Sequence, residues 1–271
     1  MKRIEIKEMV KKRYGTIAQQ GTSCCGPAGS CGTDSISRKV GYTDKELKQV
    51  PEGANLGLGC GNPLVFASLK QGDVVIDLGS GAGVDCFIAA NSVGAEGRVI
   101  GIDMTNAMIG KARENALKGN YSNVEFRLGE IEKLPVADKT ADIVISNCVI
   151  NLSTDKPRVF QEAYRVLKPG GRLMISDLVL LKELPASIKG HVDAYIGCIA
   201  GAILKKEYTA HIKAAGFEDV MILEESSYPV EFLDNDPMVS AIIQELEISA
   251  EEIQEAARSV VSVKISAVKP R

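Results

Sequence analysis

Two groups of residues in this 271-residue chain have the types and spacing to do chemistry. The first is Val74–Gly83, VVIDLGSGAG, where Val74, Val75 and Ile76 form an apolar run closed by Asp77. Gly79, Gly81 and Gly83 follow at alternate positions. Such glycines let the backbone turn sharply and let a ligand approach without meeting Cβ atoms. A helix opening directly after them would aim free N–H groups at that ligand. The second group is sulfur: Cys24, Cys25, Cys31, Cys60, Cys86, Cys148 and Cys198. Their odd number and wide spacing do not fit a secreted disulfide framework, which suggests reduced thiols, some of them working. Thiolates are soft ligands that select soft, thiophilic centres.

The elements that must position these groups are legible as strand–helix alternation from Asp73 onward, the pattern of a parallel sheet flanked by helices. Strands are predicted at Val74–Ile76, Arg98–Asp103, Val124–Leu128, Ala141–Asn147, Arg172–Asp177 and Val220–Leu223. Ser259–Val268 alternates with period two and reads as a closing strand. Between them fall helices at Val84–Val93, at a segment capped by Thr105 and stopped by Gly119, and at a segment opened by Pro157. Lys168-Pro169-Gly170-Gly171 is expected to break that last helix before the fifth strand. Residues 187–215 are helical in pattern but broken by Gly197 and Gly201, and Met238–Ala257 reads as more helix. Upstream, residues 4–17 carry a helical apolar stripe, Gln19–Ser37 reads as a flexible loop, and Thr43-Asp44-Lys45-Glu46 as a helix start. Within this order Cys148 follows the fourth strand directly, Cys60 sits in a turn-rich segment ahead of the sheet, and Cys198 lies in a Gly-rich stretch. Cys86 falls inside the first sheet helix and reads as a buried structural thiol.

A dinucleotide fingerprint needs G-x-G-x-x-G, whereas the loop here is G-x-G-x-G with an acid two residues before its first glycine. Asp103 ends the second strand 24 residues after Gly79, placed to accept hydrogen bonds from a ribose diol. With the Leu-Lys-Pro-Gly-Gly turn and the terminal strand, residues 60–271 resemble the class I methyltransferase fold. That resemblance implies an α/β, Rossmann-like, seven-stranded, mostly parallel sheet with helices on both faces, its last strand antiparallel between strands five and six. Residues 1–59 are then a helical and Cys/Gly-rich extension. By the same resemblance the cofactor is S-adenosylmethionine. Asp77, Gly79, Ser80, Gly81 and Gly83 surround its methionine part, Asp103 and Met104 meet ribose and adenine, Glu130 and Ile131 bracket the adenine edge, and Asn147 completes the site. A dinucleotide fold or a structural Gly-rich turn is the alternative.

DLGSGAGVDCF, GIDMT, the run Ile131–Leu134, SNCVINL, QEAYRVLKPGG and GCIAGA together resemble the arsenite S-adenosylmethionine methyltransferases. The resemblance implies that Cys60, Cys148 and Cys198 bind As(III), as a metalloid substrate, and that Cys31 takes part in a disulfide relay with Cys60. It also implies a thioredoxin-like or small-thiol reductant. Tyr14 resembles a family tyrosine near the cofactor, though it equally fits a core aromatic on an amphipathic helix. A class I methyltransferase for another small molecule, such as a quinone or sterol precursor, needs only the same fold but leaves three cleft cysteines without a role. A pyrimidine C5-methyltransferase would use Cys148 as nucleophile, yet no proline precedes it. A non-enzymatic thiol sensor would not need Asp77, the glycines and Asp103. Net charge of −3 disfavours a nucleic-acid partner. The longest apolar run near residue 200, Ile196–Leu204, is far short of the ~20 residues of a membrane span. The N-terminus is basic without an apolar core, so a cytoplasmic location is expected.

Overall fold

A computed structural model of the chain describes residues 3–20, 32–184, 201–227, 256 and 258–271. Cys24, Cys25, Cys31 and Cys198 lie outside the described residues, as do His191, Gly197 and nearly all of the predicted helix Met238–Ala257.

Seven strands build one sheet: β1 (Val74–Leu78), β2 (Arg98–Asp103), β3 (Val124–Leu128), β4 (Ala141–Asn147), β5 (Leu167–Leu180), β6 (Glu218–Ser227) and β7 (Val260–Val268). Their spatial order is β3-β2-β1-β4-β5-β7-β6. β1 pairs in parallel with both β2 and β4, through Val75 opposite Val99 and Ile76 opposite Val144. β7 runs antiparallel between β5 and β6, with Ile265 opposite both Ile175 and Ile222. This is the expected class I methyltransferase order. The chain changes direction of winding at the β1/β4 boundary, so their carboxyl ends open the crevice where ligands of such sheets bind.

The helices are α1 (Arg3–Gln20), α2 (Thr33–Lys39), α3 (Asp44–Lys48), α4 (Val84–Val93), α5 (Asn106–Lys118), α6 (Lys156–Val166) and α7 (Lys205–Ala214). One face of the sheet packs Ile76, Leu78 and Ile100 against Val159, Phe160 and Tyr208. The other packs Val75, Val99 and Met174 against Phe87, Ile109 and Ala112. A third cluster at the carboxyl end joins Val10 of α1 to Cys60, Cys148, Leu178 and Leu180.

Local chemistry explains most boundaries. Thr43 and Glu46 form a reciprocal capping box on α3, with the Thr43 N–H donating to Glu46 Oε2 at 2.7 Å. Pro157 stands in the first turn of α6, whose N-cap Asp155 accepts from the Arg158 N–H. Thr105 occupies the N-cap of α5 but makes no side-chain cap; Asp103 Oδ1 takes the Thr105 N–H instead, at 2.8 Å. Part of the expected loop is helical, because Ile36 and Ser37 of α2 are buried and Ser37 Oγ donates to Asn55 Oδ1 at 2.8 Å. α6 ends at Val166, ahead of the Lys168–Gly171 run as expected, but the fifth strand begins earlier than Arg172. β5 starts at Leu167 opposite Ala141, and the irregularity is absorbed as a register shift before Ile143.

Candidate functional site

β1, β2 and β4 deliver their carboxyl ends to one cavity, and α1 lies across it, contributing Val10, Arg13, Tyr14 and Ile17 to the wall. Asp77, Gly79, Ser80, Gly81, Asp103, Met104, Ile131 and Asn147 all line it, as sequence reasoning expects. Gly81 has φ +53°, and a Cβ placed there would meet no atom within 4 Å. Its surface therefore faces open space where a ligand can come against the backbone. The hydroxyl of Ser80 is buried there without a hydrogen-bond partner.

Two of the expected residues, Gly83 and Glu130, are not among those that line the cavity. Gly83 does not line the cavity; it caps α4 with φ +100°, and a Cβ there would stand 2.7 Å from Phe87 and 2.8 Å from Phe126. Its absent side chain makes room for core rings rather than for a ligand. Glu130 is also outside the wall, its carboxylate paired with Lys7 Nζ of α1 at 2.8 Å. Glu132, 3.1 Å from the same Lys7 Nζ, lines the cavity instead.

The floor is acidic. Burial holds the Asp77 carboxyl well above its usual range, reinforced by nearby Asp85, and Cys86 Sγ donates to Asp77 Oδ2 at 3.2 Å. Asp85 is pushed up to about 6, again by burial, against the opposing hydrogen bonds of Tyr42 and Asn147. Burial raises Asp103 too, although its carboxylate accepts from the Thr105 and Gly81 N–H groups. Such a floor favours a ligand that carries positive charge. Cys86 is a free, buried thiol held protonated by burial, in keeping with a structural role.

Cys60 and Cys148 line the same cavity and are joined to each other as a disulfide, with Cα atoms 5.8 Å apart. Sequence reasoning expects both as reduced thiols and the relay as Cys31–Cys60; the pairing present here is Cys60–Cys148. The fold accounts for it. Cys148 follows β4 with φ +58°, a left-handed turn that costs a non-glycine residue about 1–3 kcal/mol. Its N–H donates to Ser176 O of β5 at 2.8 Å. On the other side, Gly59-Cys60-Gly61 is pressed between β4 and β5. A Cβ on Gly59 would stand 2.7 Å from the Asn147 amide, and one on Gly61 would overlap Ser176 Oγ. Asp177 Oδ, also buried, shares a cluster with the two sulfurs in which all ligand atoms lie within 4.8 Å of one another. Burial raises Asp177 to about 7, while Tyr208 OH and the Leu178 N–H donate to it.

Sequence reasoning misses Tyr42 and Asp85 altogether, and assigns Asn147 only to the cofactor. The Asn147 amide is in fact spent on the Cys60 segment: Oδ1 accepts from the Cys60 N–H at 3.2 Å and Nδ2 donates to Gly61 O at 2.7 Å. His211 lies on α7 beside Glu207, away from the cavity lining.

Residues 69–216 match the family model described as a methyltransferase domain. The chain is 50% identical over 229 residues to an arsenite methyltransferase of Halobacterium salinarum, covering 80% of this chain and 59% of that protein. It is 38% identical over 224 residues to the arsenite methyltransferase of Homo sapiens, covering 79% of this chain and 58% of the human protein. It thus spans about three fifths of the length of these curated relatives. A solved arsenic(III) S-adenosylmethionine methyltransferase from Chlamydomonas reinhardtii superposes with a TM-score of 0.63 and 31% identity, over 91% of this chain and 75% of that one. By matched domain, shared sequence and sheet order, the chain belongs to the arsenite S-adenosylmethionine methyltransferase family of class I methyltransferases.

Proposed function

We propose that this chain methylates trivalent arsenic, taking the methyl group from S-adenosylmethionine. The observation that carries the reading is that Cys60 and Cys148 share one cavity with Asp77, Ser80 and Gly81. S-adenosylmethionine, when bound, supplies a methyl group on a positively charged sulfur. Asp85 offers buried negative charge toward such a cation, and the cation in turn favours ionisation of the Asp77 carboxyl that burial otherwise holds protonated; Gly81 lets the ligand approach the backbone, and Ser80 has a hydroxyl to spare. Asp103 and Met104 are assigned the ribose and adenine.

Reduced Cys60 and Cys148 each exchange S–H for a bond to arsenic as an As–OH group leaves with the proton as water. By the family resemblance Cys198 supplies a third sulfur. The trivalent arsenic keeps its lone pair, and no proton has to be removed for it to attack carbon. Catalysis is then positioning and exclusion of water. The chain's part is to hold the lone pair in line with the carbon–sulfur bond while α1 covers the cavity. Forming As–C from that lone pair takes arsenic formally from the trivalent to the pentavalent state. Two thiols closing to one disulfide release two electrons and two protons, which return arsenic to the trivalent state. Either Cys60–Cys148 or Cys31–Cys60 can serve, and a thioredoxin-like protein or small thiol resets the pair. Among the described residues no helix is long and apolar enough to cross a membrane. We place the protein in the cytoplasm, where thiols are kept reduced.

The test is direct. Reduced protein is incubated with arsenite, a thiol and S-adenosylmethionine, and arsenicals are separated and weighed by mass spectrometry. Methylated arsenic is expected; unmethylated arsenite alone, from protein that binds S-adenosylhomocysteine normally, would reject the substrate.

A further inference from the structure

Cys60 belongs to a stretch between α3 and β1 that contains no helix or strand, so no regular element fixes its sulfur. Side chains do it instead. Besides the two bonds from Asn147, Ser262 Oγ donates to Cys60 O at 2.9 Å. Asn147 is an amide, and an amide fits only one way round. Its oxygen must face the Cys60 N–H and its NH2 the Gly61 carbonyl; turned over, like groups would meet. Two residues set this orientation. Asn147 Nδ2 lies 2.9 Å from Tyr42 OH and 3.2 Å from Asp85 Oδ2, and Tyr42 OH donates to Asp85 Oδ1 at 2.7 Å. An ionised carboxylate only accepts, and a hydroxyl whose proton is committed to it can only accept from Asn147. Both therefore require the NH2 on their side. Tyr42 and Asp85 are each 4% exposed, so water competes little for these bonds.

We propose that Tyr42 and Asp85, acting through the Asn147 amide, are positioning residues that hold Cys60 against Cys148. The role given to the thiol pair rests on the arsenic reading above, but the geometry concerns the two sulfurs themselves. Tyr42→Phe keeps the ring and removes the hydroxyl that both accepts from Asn147 and donates to Asp85. The amide then loses part of its orientation, and Cys60 spends less of its time within reach of Cys148. In chemical terms the effective concentration of one thiol at the other falls.

Two measurements on the full chain test this. The first equilibrates wild type and Tyr42→Phe in glutathione redox buffers and quantifies the Cys60–Cys148-linked peptide by mass spectrometry. A roughly tenfold loss of disulfide stability is expected in Tyr42→Phe, equivalent to about 30 mV for a two-electron couple. An unchanged equilibrium would overturn the proposal. The second measures arsenite affinity in a double-mutant cycle with Cys60→Ser, with a phosphine as reductant. Tyr42→Phe is expected to weaken arsenite about tenfold in the wild-type background and not at all when Cys60 is already gone. Equal losses in both backgrounds would show a merely structural effect and also overturn it. If wild type binds no arsenite while the disulfide equilibrium still shifts, the arsenic reading falls and the positioning role stands. Asp85→Asn is the second variant, expected to act in the same direction, so the test does not depend on one protein folding.

Discussion

Cys60 is brought to Cys148 by a backbone that packs tightly on both sides of it, at Gly59 against Asn147 and at Gly61 against Ser176. Cys148→Ser is expected to abolish methyl transfer, because it removes the sulfur at the end of β4 that faces both Cys60 and the glycine loop. Detection of methylarsenicals from Cys148→Ser at wild-type rates would refute that assignment. Gly61→Ala tests the packing on the other side. Its Cβ would overlap Ser176 Oγ, and overpacking of this kind costs about 1–3 kcal/mol. Thermal denaturation should show the loss, and free-thiol counting should show Cys60 failing to pair; a variant of wild-type stability that still forms the disulfide would contradict it. What was legible at this scale was residue type and spacing: the glycine loop, Asp77, Asp103 and the cysteines beside the cleft. The Tyr42–Asp85–Asn147 set was not legible, because its members stand 43, 62 and 105 positions apart; Asp85 and Asn147 fall within DLGSGAGVDCF and SNCVINL, but nothing in either run ties them to each other or to Tyr42. Nor could spacing say that Glu132 rather than Glu130 would line the cavity, or that both would pair with Lys7 of α1.

At the scale of elements, α1 is one part of the wall that does not come from the sheet, and the segment from Ala54 to Cys60 is another. α1 is fastened at its N-terminal half by Lys7 to Glu130 and Glu132, with Lys11 adding a looser pair to Glu130 at 3.7 Å. Partly exposed pairs of this sort contribute only ~0.2–1 kcal/mol and are screened by salt. Lys7→Ala is therefore expected to weaken S-adenosylhomocysteine about two- to fivefold by calorimetry, with a smaller difference from wild type at high salt. Unchanged affinity at low salt would mean that α1 closes the cavity without these pairs. β1 and β2 were legible as apolar runs carrying an acid at the carboxyl end, and β7 from its period of two. The helix α2 was not, since only its tertiary partners give Ile36 and Ser37 somewhere to be buried. The Lys168–Gly171 run follows the end of the helix as expected, but the early start of β5 at Leu167 was not legible for a related reason: it rests on cross-strand pairing to Ala141.

Over the whole molecule, the buried acids set the pH response. Asp85 near 6 and Asp177 near 7 keep protons in the folded state that the unfolded chain, titrating at about 4, has already released. Stability from these groups is full below pH ~4 and is lost as pH rises through ~6 to 7. Glu125, held down to about 2 by Arg127 and Arg98, acts oppositely and only in acid: its contribution is lost as pH falls from ~4 toward 2. Thermal denaturation of the ligand-free protein should therefore show a midpoint that declines between pH 5 and 7.5, with a shallower decline in Asp85→Asn. A midpoint that rises over that interval in wild type would contradict the assignment of these acids.

The proposed function puts arsenic on Cys60 and Cys148, in front of the glycine loop. X-ray absorption at the arsenic edge, on reduced protein with one equivalent of arsenite, counts the sulfur atoms bonded to arsenic. A sulfur shell that loses one neighbour in Cys60→Ser and one in Cys148→Ser is the expected result. An oxygen shell, or a sulfur shell unchanged by both substitutions, would contradict the account.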